Sequence, residues 1–550
     1  MGMAKKVVIV GGVAAGASAA ARLRRMDEDA QIIMVERGEY ISFANCGLPY
    51  YVGGVIKKRE RLLIQTPRSM FKRFNIEVRN NSEVEQINPQ EKEIVIKNTL
   101  EGDSYRESYD YLVLCPGAAP IIPNIPGINQ PNVFSVRNVP DSDRIKQYIE
   151  MNEPKTAVII GGGFVGLEMA EMLYECNLDV CIVEAADQLM GPLDPEMAAI
   201  VHSYLRSQDI ELCLGDQAIS MEGSDLVESV ILASGRKVPA DIVILGIGVK
   251  PEVGLATNAG LAIGSTGGIL VDEYLRTSDP FIYAAGDAIQ IKDFVTGQDS
   301  LLPLASPANR QGWLIANNLC HRPIKYTGAQ GTAIVKIMDQ TVAVTGKNEK
   351  TLRKLGIPYQ ACHAQPNSHA TYYPGSSVMT AKLLFDTQDG KVLGAQIVGR
   401  DGVDKRIDVI ATAIRAGMTV FDLQELELAY APPFSSAKDP VNMLAYAASN
   451  IVNRDIEVIQ WPDVPKRVME GAFLIDARTA KEFERGTVDG AHNIPVDEVR
   501  ARIDEIPKDK EVLVYCGQGL RSYIVNRILR PKGYDVKNIS GGYGLYQYQI

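Results

Sequence analysis

The chain has 550 residues, too many for one hydrophobic core, so three or four domains are expected. Hydrophobic residues make up 46% and charged residues 23%, which excludes a disordered or fibrous chain. The net charge of −10 leaves no broad cationic face, which argues against nucleic acid or an anionic membrane as main partner.

Lys5 and Lys6 open an apolar run, KKVVIVGG, broken by Gly11, Gly12 and Gly16 with no clean cleavage site after it. It reads as a first strand and turn rather than a signal peptide. The opening MGMAKK lacks the Ser or Thr that myristoylation needs. AAGASAAARLRRM follows at helical spacing, and QIIMVE is a second buried strand ending at Glu36. The same grammar returns at TAVIIGGG, FVGLEMAEMLYE and VCIVE, ending at Glu184. Two such units predict two dinucleotide-binding domains of the doubly wound kind.

Between them lie the alternating EIVIKN and the apolar DYLVLCPGAAP, whose Pro–Gly break marks a crossover out of the first domain. ADIVILGIGVKP and FIYAAGDAI are further buried strands. From Tyr326 onward, GTAIVKIM, TVAVTG, AKLLFD and VLGAQIVG look antiparallel and are followed by helices, a separate α+β domain. Polar residues at Asn453–Asp455, with Pro462 and Pro465, mark a linker to a last small domain. No apolar run reaches the ~18 residues that would span a bilayer. The eight cysteines are scattered without a CxxC pair; this argues against a disulfide framework or a zinc ribbon and for a reducing cytoplasm.

A dinucleotide loop needs glycine at the tight turn, at the pyrophosphate and where helix meets strand. Gly161, Gly163 and Gly166 fill all three places, and Glu184 follows at the distance of a ribose-binding acid. In the first loop Gly11 and Gly16 fill two; Val13 holds the middle one, with Gly12 beside it, and Glu36 is the matching acid. Asp287 follows a buried strand and a glycine, where its carboxylate can accept a hydrogen bond from a ligand hydroxyl. Cys46 in SFANCGLPYY stands at a turn and helix start, where a positive field would lower its thiol pKa. The other cysteines outside the last domain read as small buried hydrophobes or carry no supporting motif. In the last domain, Cys516 follows a strand and opens the loop CGQGLR. Successive backbone N–H groups of such a loop stabilise a thiolate or persulfide. Arg521 either fixes the loop through a bidentate ion pair or assists an anionic substrate.

The paired glycine loops with the GD segment resemble the two-dinucleotide-binding flavoproteins, in which the FAD domain is interrupted by the NAD(P)H domain. That resemblance implies FAD on Gly11, Gly12, Gly16, Glu36 and Asp287, and NAD(P)H on Gly161, Gly163, Gly166 and Glu184. Ala185 and Ala186 offer no cation for a 2′-phosphate, so NADH is favoured and NADPH left open. SFANCGLPYY resembles the single-cysteine disulfide reductases: coenzyme A disulfide reductase, NADH oxidase and NADH peroxidase. The oxidases and peroxidases tend to carry a histidine in the first glycine loop, where Ala14 stands here.

Resemblance to the coenzyme A disulfide reductases further implies a mixed disulfide between Cys46 and coenzyme A. It implies nucleotide contacts from Ser18, Arg22, Arg25, Ser42, Asn45, Asn309 and Lys438, and a homodimer whose Tyr372 and Tyr430 reach the cysteine across the subunit boundary. A lysine of that family is unmatched; Phe74 falls there, with Arg73 beside it. FLIDARTAKEFERGTVDGAHNIP and VLVYCGQGLRS resemble a rhodanese domain, with Asp476, Arg478, Glu482 and His492 in structural hydrogen-bonding roles.

The expected fold is α/β, with two Rossmann-like domains, one inserted in the other, an α+β dimerisation domain and a C-terminal α/β rhodanese domain. The boundaries are 1–150 and 255–325 for FAD, 151–254 for NAD(P)H, 326–452 for dimerisation, 453–465 for the linker and 466–550 for rhodanese. The implied activity is NAD(P)H-driven reduction of coenzyme A persulfide, polysulfide or disulfide at Cys46, coupled to sulfur transfer at Cys516. Small thiols, persulfides and disulfides are the partners. The alternatives are an NADH oxidase or peroxidase with a Cys46 sulfenate, and a redox-sensing flavoprotein with a sulfur-binding module.

Overall fold

The computed structural model describes residues 5–548. The chain forms two compact units. One runs to Asp187 and resumes over Ile210–Ala329; the other holds Gln188–Asp209 and the chain from Gln330 on.

The first unit contains two five-stranded parallel sheets. One is ordered Ile282–Ala284, Tyr111–Leu114, Lys6–Val10, Gln31–Val35, Glu77–Arg79. Its strands are continuous apolar runs because both faces of a parallel sheet are covered: Val7, Val8 and Ile9 are fully buried. The other is ordered Glu211–Leu214, Asp179–Glu184, Thr156–Ile160, Ile242–Leu245, Val133–Ser135. The chain thus leaves the first sheet, builds the second and returns for the last strand of the first, as an inserted domain requires. Strand Val133–Ser135 belongs to the inserted sheet, so that domain begins before residue 151. EIVIKN lies in a separate antiparallel sheet of three strands.

In the second unit, an antiparallel sheet is ordered Ala333–Ile337, Gln340–Gly346, Val392–Gly399, Thr380–Phe385, Gln360–Ala364. Helices Val403–Ala416, Pro440–Val452 and Pro195–Ser207 pack against it. The last of these was expected in the inserted domain, yet it lies in this unit with its flanking residues. A parallel sheet follows, ordered Glu457–Ile459, Val536–Ile539, Val512–Tyr515, Phe473–Asp476, His492–Asn493. Its edge strand Glu457–Ile459 and the buried Trp461 fall where a linker was expected, so the C-terminal fold starts some ten residues early. Among the described residues no helix is long and apolar enough to cross a membrane.

Candidate functional site

The two glycine loops are built alike. Gly11 and Gly161 have φ of 97° and 107°, a left-handed backbone that turns each first strand into its helix. At Gly16 and Gly166 a Cβ would come within 1.8 and 2.0 Å of the carbonyl oxygens of Gly11 and Gly161, so only glycine lets helix and turn approach this closely. At Gly163 a Cβ would meet no protein atom within 4 Å, leaving open space at the N-terminus of helix Phe164–Glu175. Glu36 accepts hydrogen bonds from Gly12 N–H and Gly38 N–H, both at 2.9 Å. Glu184 does the same for Gly162 N–H at 2.7 Å and Ala186 N–H at 2.9 Å. Clearance, helix N-terminus and acid together fit a dinucleotide pyrophosphate and ribose.

Asp287 lies just past strand Ile282–Ala284, its carboxyl raised by burial with Arg137 opposing. No hydrogen-bond donor among the described residues reaches it. A half-buried carboxylate without a donor is what a polyol hydroxyl would satisfy, so this position fits the flavin ribityl chain.

Cys46 sits in the 3₁₀ turn Asn45–Gly47, which runs into the short helix Leu48–Val52. It is solvent-exposed, and all eight cysteines are free. The expected lowering of its pKa is not what the polypeptide produces. Partial enclosure pushes the thiol up, and the negative charges of Glu168 and Asp287 push the same way. A five-residue helix has too small a dipole to offset them.

Glu168 was not singled out from the sequence. It lies in the first turns of helix Phe164–Glu175, accepts a hydrogen bond from Tyr50 Oη at 3.2 Å, and is raised to about 7 by burial, with Glu171 adding to the rise. The available signal was an acid two residues past Gly166 in an otherwise apolar helix start.

The residues expected to contact nucleotide fall into two groups. Ser18, Arg22 and Arg25 lie on helix Ala14–Met26, which packs along helix Ala305–Leu319 carrying Asn309. Ser18 Oγ donates to Asn309 Oδ1 at 2.6 Å; Arg22 donates to Asn317 at 3.3 Å and lies over Trp313; Arg25 is exposed. Ser42 has φ of 43°, a strained value for serine, and its N–H is held by Gly12 O at 2.8 Å. It therefore ties the Asn45–Cys46 segment to the first glycine loop. Phe74 is a partly buried member of the first domain's core. In the second unit, Tyr372 and Tyr430 are exposed with their hydroxyls 2.8 Å apart, and Lys438 is exposed before helix Pro440–Val452.

Cys516 follows strand Val512–Tyr515, and its Sγ accepts hydrogen bonds from Gly519 N–H at 3.1 Å and Ser522 Oγ at 3.5 Å. The loop is pinned from below by Tyr543 N–H to Cys516 O at 2.7 Å and Gly544 N–H to Gly517 O at 2.9 Å, a contact with no sequence signal. Arg521 makes a bidentate pair with Glu482, 2.7 Å on each arm, and that guanidinium holds Glu482 down at about 2. Of the two roles considered for Arg521, fixing the loop is the one its geometry serves. Arg478 is buried on Asp476, from 2.6 to 3.0 Å, and stacks over Tyr543. His492, expected to be hydrogen-bonded, is instead exposed and stacked on Phe473 at 4.3 Å.

Comparison with known proteins agrees with this geometry. Residues 5–312 match the family described as pyridine nucleotide-disulphide oxidoreductase, 332–440 match its dimerisation domain, and 461–548 match the rhodanese-like domain. The chain is 34% identical over 448 residues to the coenzyme A disulfide reductase of Staphylococcus haemolyticus, covering 81% of this chain and 100% of that protein. Among solved structures, reduced CoADR-RHD of Bacillus anthracis is 53% identical with a TM-score of 0.98, covering 99% of this chain and 98% of that one. An NAD-dependent persulfide reductase from A. fulgidus is 38% identical with a TM-score of 0.92, covering 98% and 100%. The chain therefore belongs to the pyridine nucleotide-disulphide oxidoreductases, and is a member that carries a dimerisation domain and a C-terminal rhodanese-like domain.

Proposed function

We propose that this protein is an NAD(P)H-driven flavoprotein that reduces coenzyme A persulfide, polysulfide and disulfide at Cys46 and carries sulfane sulfur on Cys516. The observation that carries the reading is the combination of one exposed, unpaired Cys46 with an intact Cys516 loop. FAD would be held by Gly11, Gly12, Gly16, Glu36 and Asp287, and NAD(P)H by Gly161, Gly163, Gly166 and Glu184. FAD, when bound, supplies the electron pair from NAD(P)H that reopens a mixed disulfide on Cys46.

Cys46 thiolate attacks the internal sulfur of coenzyme A persulfide; the S–S bond breaks, HS⁻ departs with the electron pair, and a Cys46–coenzyme A disulfide remains. With coenzyme A disulfide the leaving group is the coenzyme A thiolate. In a homodimer, the hydroxyls of Tyr372 of the partner subunit and Tyr430 of the partner subunit donate the proton that the leaving sulfur takes. Ser18, Arg22, Arg25, Ser42, Asn45, Asn309 and Lys438 bind the coenzyme A nucleotide and arm.

The test is NADH oxidation with coenzyme A persulfide and coenzyme A disulfide in wild type, Cys46→Ser and Cys516→Ser, with intact mass under non-reducing conditions. Cys46→Ser is expected to lose both activities and the coenzyme A adduct; full retention on either substrate overturns the Cys46 mechanism. Cys516→Ser is expected to lose sulfur transfer while keeping coenzyme A disulfide reduction.

A further inference from the structure

The cleft at Cys516, about 670 Å³, is walled by two domains of the second unit. Gln365, Val378 and Thr380 come from the antiparallel-sheet domain, and Cys516, Arg521 and Tyr543 from the C-terminal one. Gln365 stands one residue past strand Gln360–Ala364 and is 8% exposed. Among the described residues no protein group hydrogen-bonds its side-chain amide. The amide lies against Gly544, where a Cβ would meet its Oε1 at 2.3 Å, so glycine there makes room for it. The side chain is largely buried while its unpartnered amide opens onto the cleft, and such an amide is a group that a ligand satisfies.

The charges in the cleft cancel. Arg521 is neutralised by Glu482 and Arg478 by Asp476, and the described residues lining the cleft include no other cation. A dianion such as thiosulfate would meet two guanidiniums already committed to carboxylates. A neutral thiol with an amide in its chain would instead find the free amide of Gln365 and the apolar surface of Val378.

We propose that Gln365 is a specificity-determining residue of the Cys516 site, and that this site takes the persulfides of neutral, amide-bearing thiols in preference to thiosulfate. The proposal rests on the reading of Cys516 as a sulfur carrier. In the transfer, the Cys516 thiolate attacks the terminal sulfur of R–S–SH and the S–S bond breaks. The departing sulfur takes the electron pair and the proton to leave as R–SH, and Cys516 keeps a persulfide anion. No outside oxidant or reductant enters.

The experiment uses the full-length, flavin-loaded protein in a Cys46→Ser background, so that sulfur gained at Cys516 is read alone by intact mass after alkylation. The donors are N-acetylcysteamine persulfide, ethanethiol persulfide, which lacks the amide, and thiosulfate. The unmodified cleft is expected to take sulfur from the amide-bearing persulfide about ten-fold faster than from either other donor, the size of one good hydrogen bond. Gln365→Leu should cut that rate about ten-fold and leave thiosulfate within about two-fold. Equal slowing on all donors, or no slowing, overturns the role of Gln365. Should Gln365→Leu fail to fold, the donor order of the unmodified cleft still decides: indifference to the amide, or preference for thiosulfate, overturns the proposal. Separately, sulfur uptake that survives Cys516→Ser would defeat the carrier reading itself.

Discussion

Glu36 and Glu184 do the same work in two successive domains, each closing its own glycine loop by accepting one loop N–H on Oε2, at 2.9 Å from Gly12 and 2.7 Å from Gly162. Their equivalence means that they are told apart only by what each loop holds. Glu36→Ala is expected to lower retained FAD after gel filtration, read by flavin absorbance per chain. Glu184→Ala should keep its flavin and raise the KM for NADH about ten-fold, the cost of a charged hydrogen bond to a ribose. Loss of flavin from the Glu184 variant would reverse the assignment of the two loops.

Partial burial raises the Cys46 thiol most, and the charge of Glu168 adds to that rise. Glu168 changes charge near 7, so over the range in which the raised Cys46 thiol ionises it is already an anion and opposes the thiolate. Glu168→Gln removes that charge. The midpoint of Cys46 alkylation against pH, followed by mass on the reduced holoenzyme, should move down by about half to one unit. An unchanged or higher midpoint would show that Glu168 does not act on the thiol. Tyr50→Phe removes the donor that holds the carboxylate, so Glu168 should then titrate higher still.

What the sequence made legible was local. Both strand–glycine–helix units, the returning GD strand and the Cys516 loop are contiguous, and each residue's role follows from neighbours a few positions away. What it concealed depends on distant segments meeting. Nothing in FVGLEMAEMLYE says that Tyr50 will reach Glu168 and that burial will raise it. Helix Pro195–Ser207 follows the inserted domain's grammar but packs with the antiparallel sheet. AKLLFD reads as a strand, but nothing in it marks its lysine as buried, whereas every residue of Thr380–Phe385 is buried. The unpartnered amide of Gln365 is equally silent, since its surroundings come from residues far along the chain.

Lys382 turns that concealment into a stability prediction. Fully buried, its ammonium is ringed by Asp194 at 2.8 Å, Glu349 at 2.5 Å and Glu196, and Glu196 also meets His363 at 3.1 Å. Burial alone would push the ammonium down, but the three carboxylates hold it above its ordinary range. Burial alone would push Glu196 up, but His363 and Lys382 hold it well below 4.5. Lys382→Met leaves those carboxylates without their cation and should cost about 3–5 kcal/mol, seen as a lower Tm at neutral pH. The depressed Glu196 contributes stability that is complete above 4.5 and lost as pH falls through its lower folded value. The raised Lys382 contribution is complete at neutral pH and lost only as pH climbs through its elevated folded value. The gap in Tm between wild type and Lys382→Met should therefore hold steady through neutral pH and narrow on acidification below 4.5. A gap that widens in acid, or a variant as stable as wild type at pH ~7, would mean that the lysine is not what holds the three carboxylates together.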